Sequence, residues 1–81
     1  MISMKLLVSM IQMKYRVDDW VIYKPFADSE SELLREMSSR VLILDLLKND
    51  FFYDYKIYIE ETQKIKKVRE HQLFPIPDST Y

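Results

Sequence analysis

The side chains that most often carry catalysis are few in this sequence and poorly spaced for it. His71 is the one histidine, and on an extended chain its neighbours Glu70 and Gln72 point away from it. Glu60 and Glu61 are adjacent carboxylates, which a strand directs to opposite faces. They therefore fit a charged hairpin tip better than an acid–base pair.

Residue types that are missing exclude further chemistry. The chain has no glycine, which removes glycine-rich phosphate loops and the strained elbow that presents a nucleophilic serine. It has no cysteine, which removes disulfides, cysteine-ligated zinc and thiol nucleophiles. Ser38 and Ser39 have no base nearby in the sequence to activate them. We therefore expect a protein that is not an enzyme and that has no metal site and no cofactor.

Aromatic residues are the most distinctive chemical feature. Six Tyr, four Phe and one Trp are more rings than the core of an 81-residue domain can hide. Rings that converge beside a carboxylate enclose an alkylated ammonium group by cation–π attraction. The candidate peptide-binding residues are accordingly Trp20, Tyr23, Phe26, Phe52, Tyr58, Glu60 and Glu61.

A single basic cluster follows these acidic residues. Together with Tyr55 and Tyr58, it can form a stacking and phosphate-binding platform for single-stranded nucleic acid. The same residues can instead protect an exposed edge strand against aggregation, and this is the interpretation we favour. The candidate nucleic-acid-binding residues are Lys64, Lys66, Lys67 and Arg69.

Apolar alternation predicts the elements that would position these residues. The segment 14–24 alternates with a period of two, and we expect Val17 and Val21 to point inward. Residues 40–47 form an apolar run typical of a buried strand, and 51–59 alternate again. Further strands are expected at 64–68 and around 73–77, with turns at 48–50 and 60–63.

The loop after the first strand has a helical pattern instead. Ser29 and Glu32 have the spacing of a helix capping box, and Leu33, Leu34 and Met37 follow at helical spacing. The sequence thus predicts an all-β, small SH3-like barrel of four to five antiparallel strands with a short helical insert in its first long loop. We expect the barrel over residues 14–77, an N-terminal extension over 1–13 and a flexible tail over 78–81.

Several short motifs resemble the Tudor and chromo-barrel domains of the SH3-like barrel family. They are VDDWV at 17–21, SRVLILD at 39–45, YKIYI at 55–59 and the ending LFPIP at 73–77. The close of the chain from Lys67-Val68 to Pro75-Ile76-Pro77 is similar to one half of the tandem Tudor reader of the SAGA coactivator complex. Asp18 stands where these families have glycine. The resemblance implies a methyl-lysine or methyl-arginine reader that binds histone-tail peptides in chromatin without a cofactor.

The function that we predict is a non-catalytic adaptor module that binds a protein segment. A nucleic-acid-binding barrel is an alternative, although a net charge of −1 does not favour it. The second alternative is a structural subunit, or a homodimer formed through the N-terminal segment. No apolar stretch is long enough for a bilayer, so we expect no membrane association. The absence of cysteine fits a reducing compartment, so we expect an intracellular location, nuclear or cytoplasmic.

Overall fold

The computed structural model describes residues 13–77, and these form a five-stranded antiparallel sheet. The elements in chain order are β1 (Trp20–Tyr23), α1 (Glu32–Glu36), β2 (Ser39–Leu46), β3 (Tyr55–Ile59), β4 (Lys64–Val68), a 3-10 helix (Glu70–Gln72) and β5 (Leu73–Pro75). The predicted extension over 1–13, except for Met13, and the predicted tail over 78–81 lie outside the described residues. No helix in residues 13–77 is long and apolar enough to cross a membrane.

The strands are ordered β4-β3-β2-β1-β5, so the last strand returns to pair with the first. Val21 lies opposite Val41 on one side and Pro75 on the other. Strands β4 and β5 are the two edges, and the 3-10 helix is the short connection between them. The predicted fold class, a small all-β barrel-like domain with a helical insert in the first long loop, is confirmed.

The core lies on one face of this curled sheet. It consists of the inward-facing residues of all five strands together with one tyrosine that precedes β1, namely Tyr15, Val21, Tyr23, Val41, Ile43, Tyr55, Ile57, Val68 and Leu73. Met13, Leu46 and Ile59 pack against this cluster. The set is small, as expected for a chain of this length.

The first strand is shorter than the alternation predicted. Asp19 donates its amide to the Arg16 carbonyl, and its carboxylate accepts from the Arg16 amide, which makes a turn over 16–19. This turn interrupts the alternation, so the inward position predicted for Val17 is wrong and its side chain is exposed. Asp18 takes a φ of 74° there, which aspartate tolerates better than most residues.

The third strand is also shorter than predicted. Residues 51–54 belong to the β2–β3 loop, because Asp50 fixes that segment in a turn. The helical insert starts later than expected as well. Ser31, rather than Ser29, is its N-cap, and its hydroxyl accepts the Leu34 amide.

Candidate functional site

The buried Tyr55 on β3 is hydrogen-bonded both to Tyr15, in the segment before β1, and to the 3-10 helix. The Tyr55 hydroxyl donates to the Glu70 carboxylate and accepts the buried amide of Tyr15 at 3.0 Å. The same carboxylate accepts the Lys14 amide at 3.0 Å. Burial, and next the hydrogen bond to the Glu70 carboxylate, raise the pKa of Tyr55 because both disfavour the phenolate.

The 3-10 helix also holds the two longest loops. Its Glu70 amide donates to Asp54 at the end of the β2–β3 loop, at 2.8 Å. Its Gln72 carbonyl accepts the Lys24 amide at 2.8 Å, and the Gln72 side chain donates to the Pro25 carbonyl. His71 lies 3.1 Å from the Asp28 carboxylate in the β1–β2 loop. Both loops are therefore anchored to the same short element.

Asp50 gives the β2–β3 loop a defined shape. One oxygen of its carboxylate accepts the amides of Phe52 and Tyr53, at 2.8 and 2.9 Å, and the other lies 3.8 Å from the Lys67 ammonium on β4. The hydrogen bond from the Tyr53 amide, and next that from Phe52, lower the pKa of Asp50. The loop is thus held by an ionised carboxylate at neutral pH.

This loop presents two phenylalanines to solvent. Phe51 is 86% exposed and Phe52 is 64% exposed, and their rings meet edge to face with centroids 5.1 Å apart. A shallow, open depression lined by residues 46–50 lies at the start of the same loop. The candidate Phe52 is therefore accessible, and its neighbour Phe51 forms a pair with it that the sequence did not single out.

Two other candidates, Trp20 and Tyr58, lie on the outer face of the sheet. The cross-strand register places Trp20, Leu42, Tyr58 and Ile65 in one row across β1 to β4. Trp20 and Tyr58 are two strands apart, or roughly 10 Å, with Leu42 between them. The Arg40 guanidinium lies 4.6 Å from the centroid of the Trp20 ring, so this ring already has a cation over it.

The predicted aromatic cage is therefore wrong in its composition. Tyr23, a candidate peptide-binding residue, is 5% exposed and belongs to the core, because β1 directs its side chain inward between β2 and β5. Phe26 is exposed in the β1–β2 loop, while Phe52 is in the β2–β3 loop. The remaining rings are thus divided between the sheet face and two loops.

The predicted basic cluster is divided as well. Lys66 lies opposite the buried Ile57, while Lys67 lies opposite Lys56 on the outer face. Lys64 shares the face of Lys66, because residues two apart on a strand point the same way. Arg69 follows the strand and is exposed. The four cations consequently extend from both faces of β4 and from the segment that follows it.

The two predicted acidic residues lie in the β3–β4 turn. Glu60 and Glu61 are exposed there, and the Glu60 amide donates to the Arg40 carbonyl. Residues 13–77 hold no group of three or more His, Asp or Glu side chains placed to bind a metal ion. The sequence predicts a turn at 48–50, but sequence reasoning missed that Asp50 continues the loop through residues 51–54, although Asn-Asp is a signal for an Asx turn.

Fold and site together define a small, all-β, barrel-like domain with an exposed aromatic loop. No family model matches the chain, and no curated protein matches it. Among solved structures, the chain is similar to the NMR structure of the Bacillus subtilis protein YorP. The two are 24% identical with a TM-score of 0.61, and the match covers 83% of this chain and 75% of that one. This similarity shows a shared fold.

Proposed function

We propose that this protein is a non-catalytic binding module that recognises a protein segment through the β2–β3 loop. The observation that carries the proposal is the Phe51–Phe52 pair, held in solvent on an organised loop. Large apolar side chains that are exposed together on a small domain are typical of interaction sites. Burying one phenylalanine contributes on the order of 1.5–3 kcal/mol, so the pair can supply much of a micromolar affinity.

The organisation of the loop strengthens this proposal. Asp50 fixes the backbone at Phe52 and Tyr53, and Asp54 ties the end of the loop to the 3-10 helix. A loop that is already ordered loses less conformational entropy when a partner binds. The partner best suited to such a surface is a peptide with at least one large apolar side chain that packs between the two rings.

Selection from a phage-displayed library of random 12-residue peptides tests the proposal. We expect enriched peptides to bind the wild-type protein with micromolar affinity in fluorescence anisotropy. The double variant Phe51→Ala/Phe52→Ala should bind them at least about tenfold more weakly, since buried aromatic anchors dominate such interfaces. Both rings are exposed, so the variant should keep its free energy of unfolding.

Leu33→Ala is the matched control, because Leu33 is 83% exposed but lies on α1. We expect this variant to bind the selected peptides like the wild type. Peptides that bind wild type and the double variant equally well would refute the proposal. A trimethyl-lysine histone-tail peptide is a second probe. With Tyr23 in the core, we expect it to bind no more tightly than its unmodified form.

A further inference from the structure

The exposed edge strand β4 has an unusual distribution of charge. Four of its five residues are exposed, and three of these are lysines, with Arg69 directly after the strand. Its pairing partner in the sheet of residues 13–77 is β3, so the other side of its backbone faces away from that sheet. An edge strand presents unpaired amide and carbonyl groups, which are a template for another strand.

The charges on β4 itself are all positive, while Glu60 and Glu61 lie in the turn before it and Glu70 follows Arg69. Lys56 lies directly opposite Lys67 on the outer face, which adds a further cation beside the strand. Within residues 13–77, the ion pair that involves β4 is the contact of 3.8 Å between Lys67 and Asp50. Lys64 and Lys66 extend from the core side of the strand without an acidic partner in that part of the chain.

We propose that β4 is a docking edge for an extended acidic segment of another protein, which adds a sixth strand to the sheet. Backbone pairing would supply affinity, and alternate side chains would supply specificity, as in other cases of strand addition. The register defines the partner. The partner segment needs acidic residues opposite Lys64, Lys66 and Lys67. It also needs an apolar residue opposite Ile65, because Ile65 continues the outer row of side chains from Tyr58.

The same lysines exclude other occupants. A second copy of this chain pairing through its own β4 would place lysines against lysines, and like charges directly opposite each other destabilise a strand pair. Residues 1–12 contain Lys5 and no Asp or Glu, so they lack the charge that this edge requires. Lysines that prevent non-specific edge pairing thus select for an acidic partner.

This inference goes beyond the proposed function, because it uses different residues and does not depend on the β2–β3 loop. The Phe51→Ala/Phe52→Ala variant therefore separates the two. If the acidic strand binds β4, this variant should bind that strand as tightly as the wild type does. Its binding of the phage-selected peptides should be lost. If the double variant and the lysine variants introduced below each weaken the binding of both the acidic peptide and the phage-selected peptides, a separate β4 site is refuted.

The probe is an end-capped peptide of sequence Val-Glu-Glu-Val-Glu with a fluorophore, designed for antiparallel pairing with residues 68 to 64. We expect a dissociation constant in the high micromolar range that rises with salt, together with slower hydrogen exchange at the β4 amides that point away from β3. Lys66→Glu should weaken binding about fivefold, because a favourable cross-strand pair becomes a repulsive one. Lys64→Glu is a second variant with the same expectation. Arg16→Glu, at an exposed turn position, is the control for net charge.

Two further peptide experiments test whether the acidic peptide pairs with β4 as a strand. The peptide Val-Glu-Lys-Val-Glu should recover the affinity for Lys66→Glu, because it restores the opposite charge at that position. Of two peptides N-methylated on alternate residues, one should bind and the other should not, since only alternate amides face the edge. Equal binding of both would overturn the proposal. So would protection, without peptide, of the β4 amides that point away from β3, or a concentration-dependent dimer that Lys66→Glu strengthens.

Discussion

Replacing Tyr55 with phenylalanine removes one oxygen atom from the centre of the hydrogen-bond network that joins β3 to the 3-10 helix. Tyr55 is fully buried, and its hydroxyl serves both the Tyr15 amide and the Glu70 carboxylate. The Glu70 carboxylate keeps the Lys14 amide as a donor and is only partly buried, so water can replace the lost hydroxyl there. The buried Tyr15 amide has no such substitute.

An unsatisfied buried donor costs about 1–3 kcal/mol, so we expect Tyr55→Phe to lower the free energy of unfolding by about 2 kcal/mol. For a domain of this size, that corresponds to a midpoint temperature lower by roughly 8–16 °C. Urea titration followed by circular dichroism measures the loss, and an unchanged m-value shows that the folded state keeps its compactness. Tyr58→Phe, on the same strand, is the control, and we expect a change below about 0.5 kcal/mol.

The same substitution tests the raised pKa of Tyr55. A group whose pKa is higher in the folded state binds its proton more tightly there, so its contribution is complete below pH 10 and is lost as the pH rises above that value. The difference in stability between wild type and Tyr55→Phe should therefore shrink above pH 10, by up to about 1.4 kcal/mol per pH unit. A Tyr55→Phe variant within 0.5 kcal/mol of wild type at pH 7, or a difference that grows above pH 10, refutes the network described here.

Three other changes have expected outcomes. Ile57→Ala should lower the free energy of unfolding by about 2–5 kcal/mol in urea titrations because it opens a cavity in the core, whereas Ile65→Ala, on the exposed edge, should change it by less than about 0.5 kcal/mol. Gln63→Gly should stabilise the protein by roughly 0.5–1 kcal/mol in thermal unfolding, because Gln63 has a φ of 58° in the β3–β4 turn; a loss of stability would contradict this. The lowered pKa of Asp50 means that the loop contacts persist above pH 3.8 and are lost as the pH falls further through the folded-state pKa. Protection of the Phe52 and Tyr53 amides against hydrogen exchange, relative to the intrinsic rate at each pH, should be lost only there, and Asp50→Ala should reduce this protection at pH 7.

The fold could be predicted because its core follows simple alternation. Tyr55 and Ile57, or Val41 and Ile43, are spaced by two and face inward, and turn-forming residues separate the strands. Periodicity failed where a local hydrogen bond overrode it. The carboxylates of Asp19 and Asp50 accept hydrogen bonds from nearby amides, so 16–19 and 51–54 form turns where strands were predicted.

The candidate site was harder to predict because it depends on which strands become neighbours. Alternation places Tyr23 and Trp20 on opposite faces but does not say which face is covered, and only the pairing of β1 with both β2 and β5 puts Tyr23 in the core. The charges of β4 show the same limit. Lys66 and Lys67 are adjacent in sequence and look like one patch, whereas the register sends them to opposite faces of an edge.

The division between core and loops also explains why a shared fold says little about binding here. Every buried core residue except Tyr15 lies on a strand, and those strands are what a barrel-like domain must keep. Phe51 and Phe52 lie outside that framework and contribute almost nothing to the core. Replacing them leaves the fold intact but removes the surface proposed to bind. We therefore expect a relative with the same strands to share the proposed function only if it also has an organised loop with exposed rings at this position, because function depends on the site rather than on the fold that carries it.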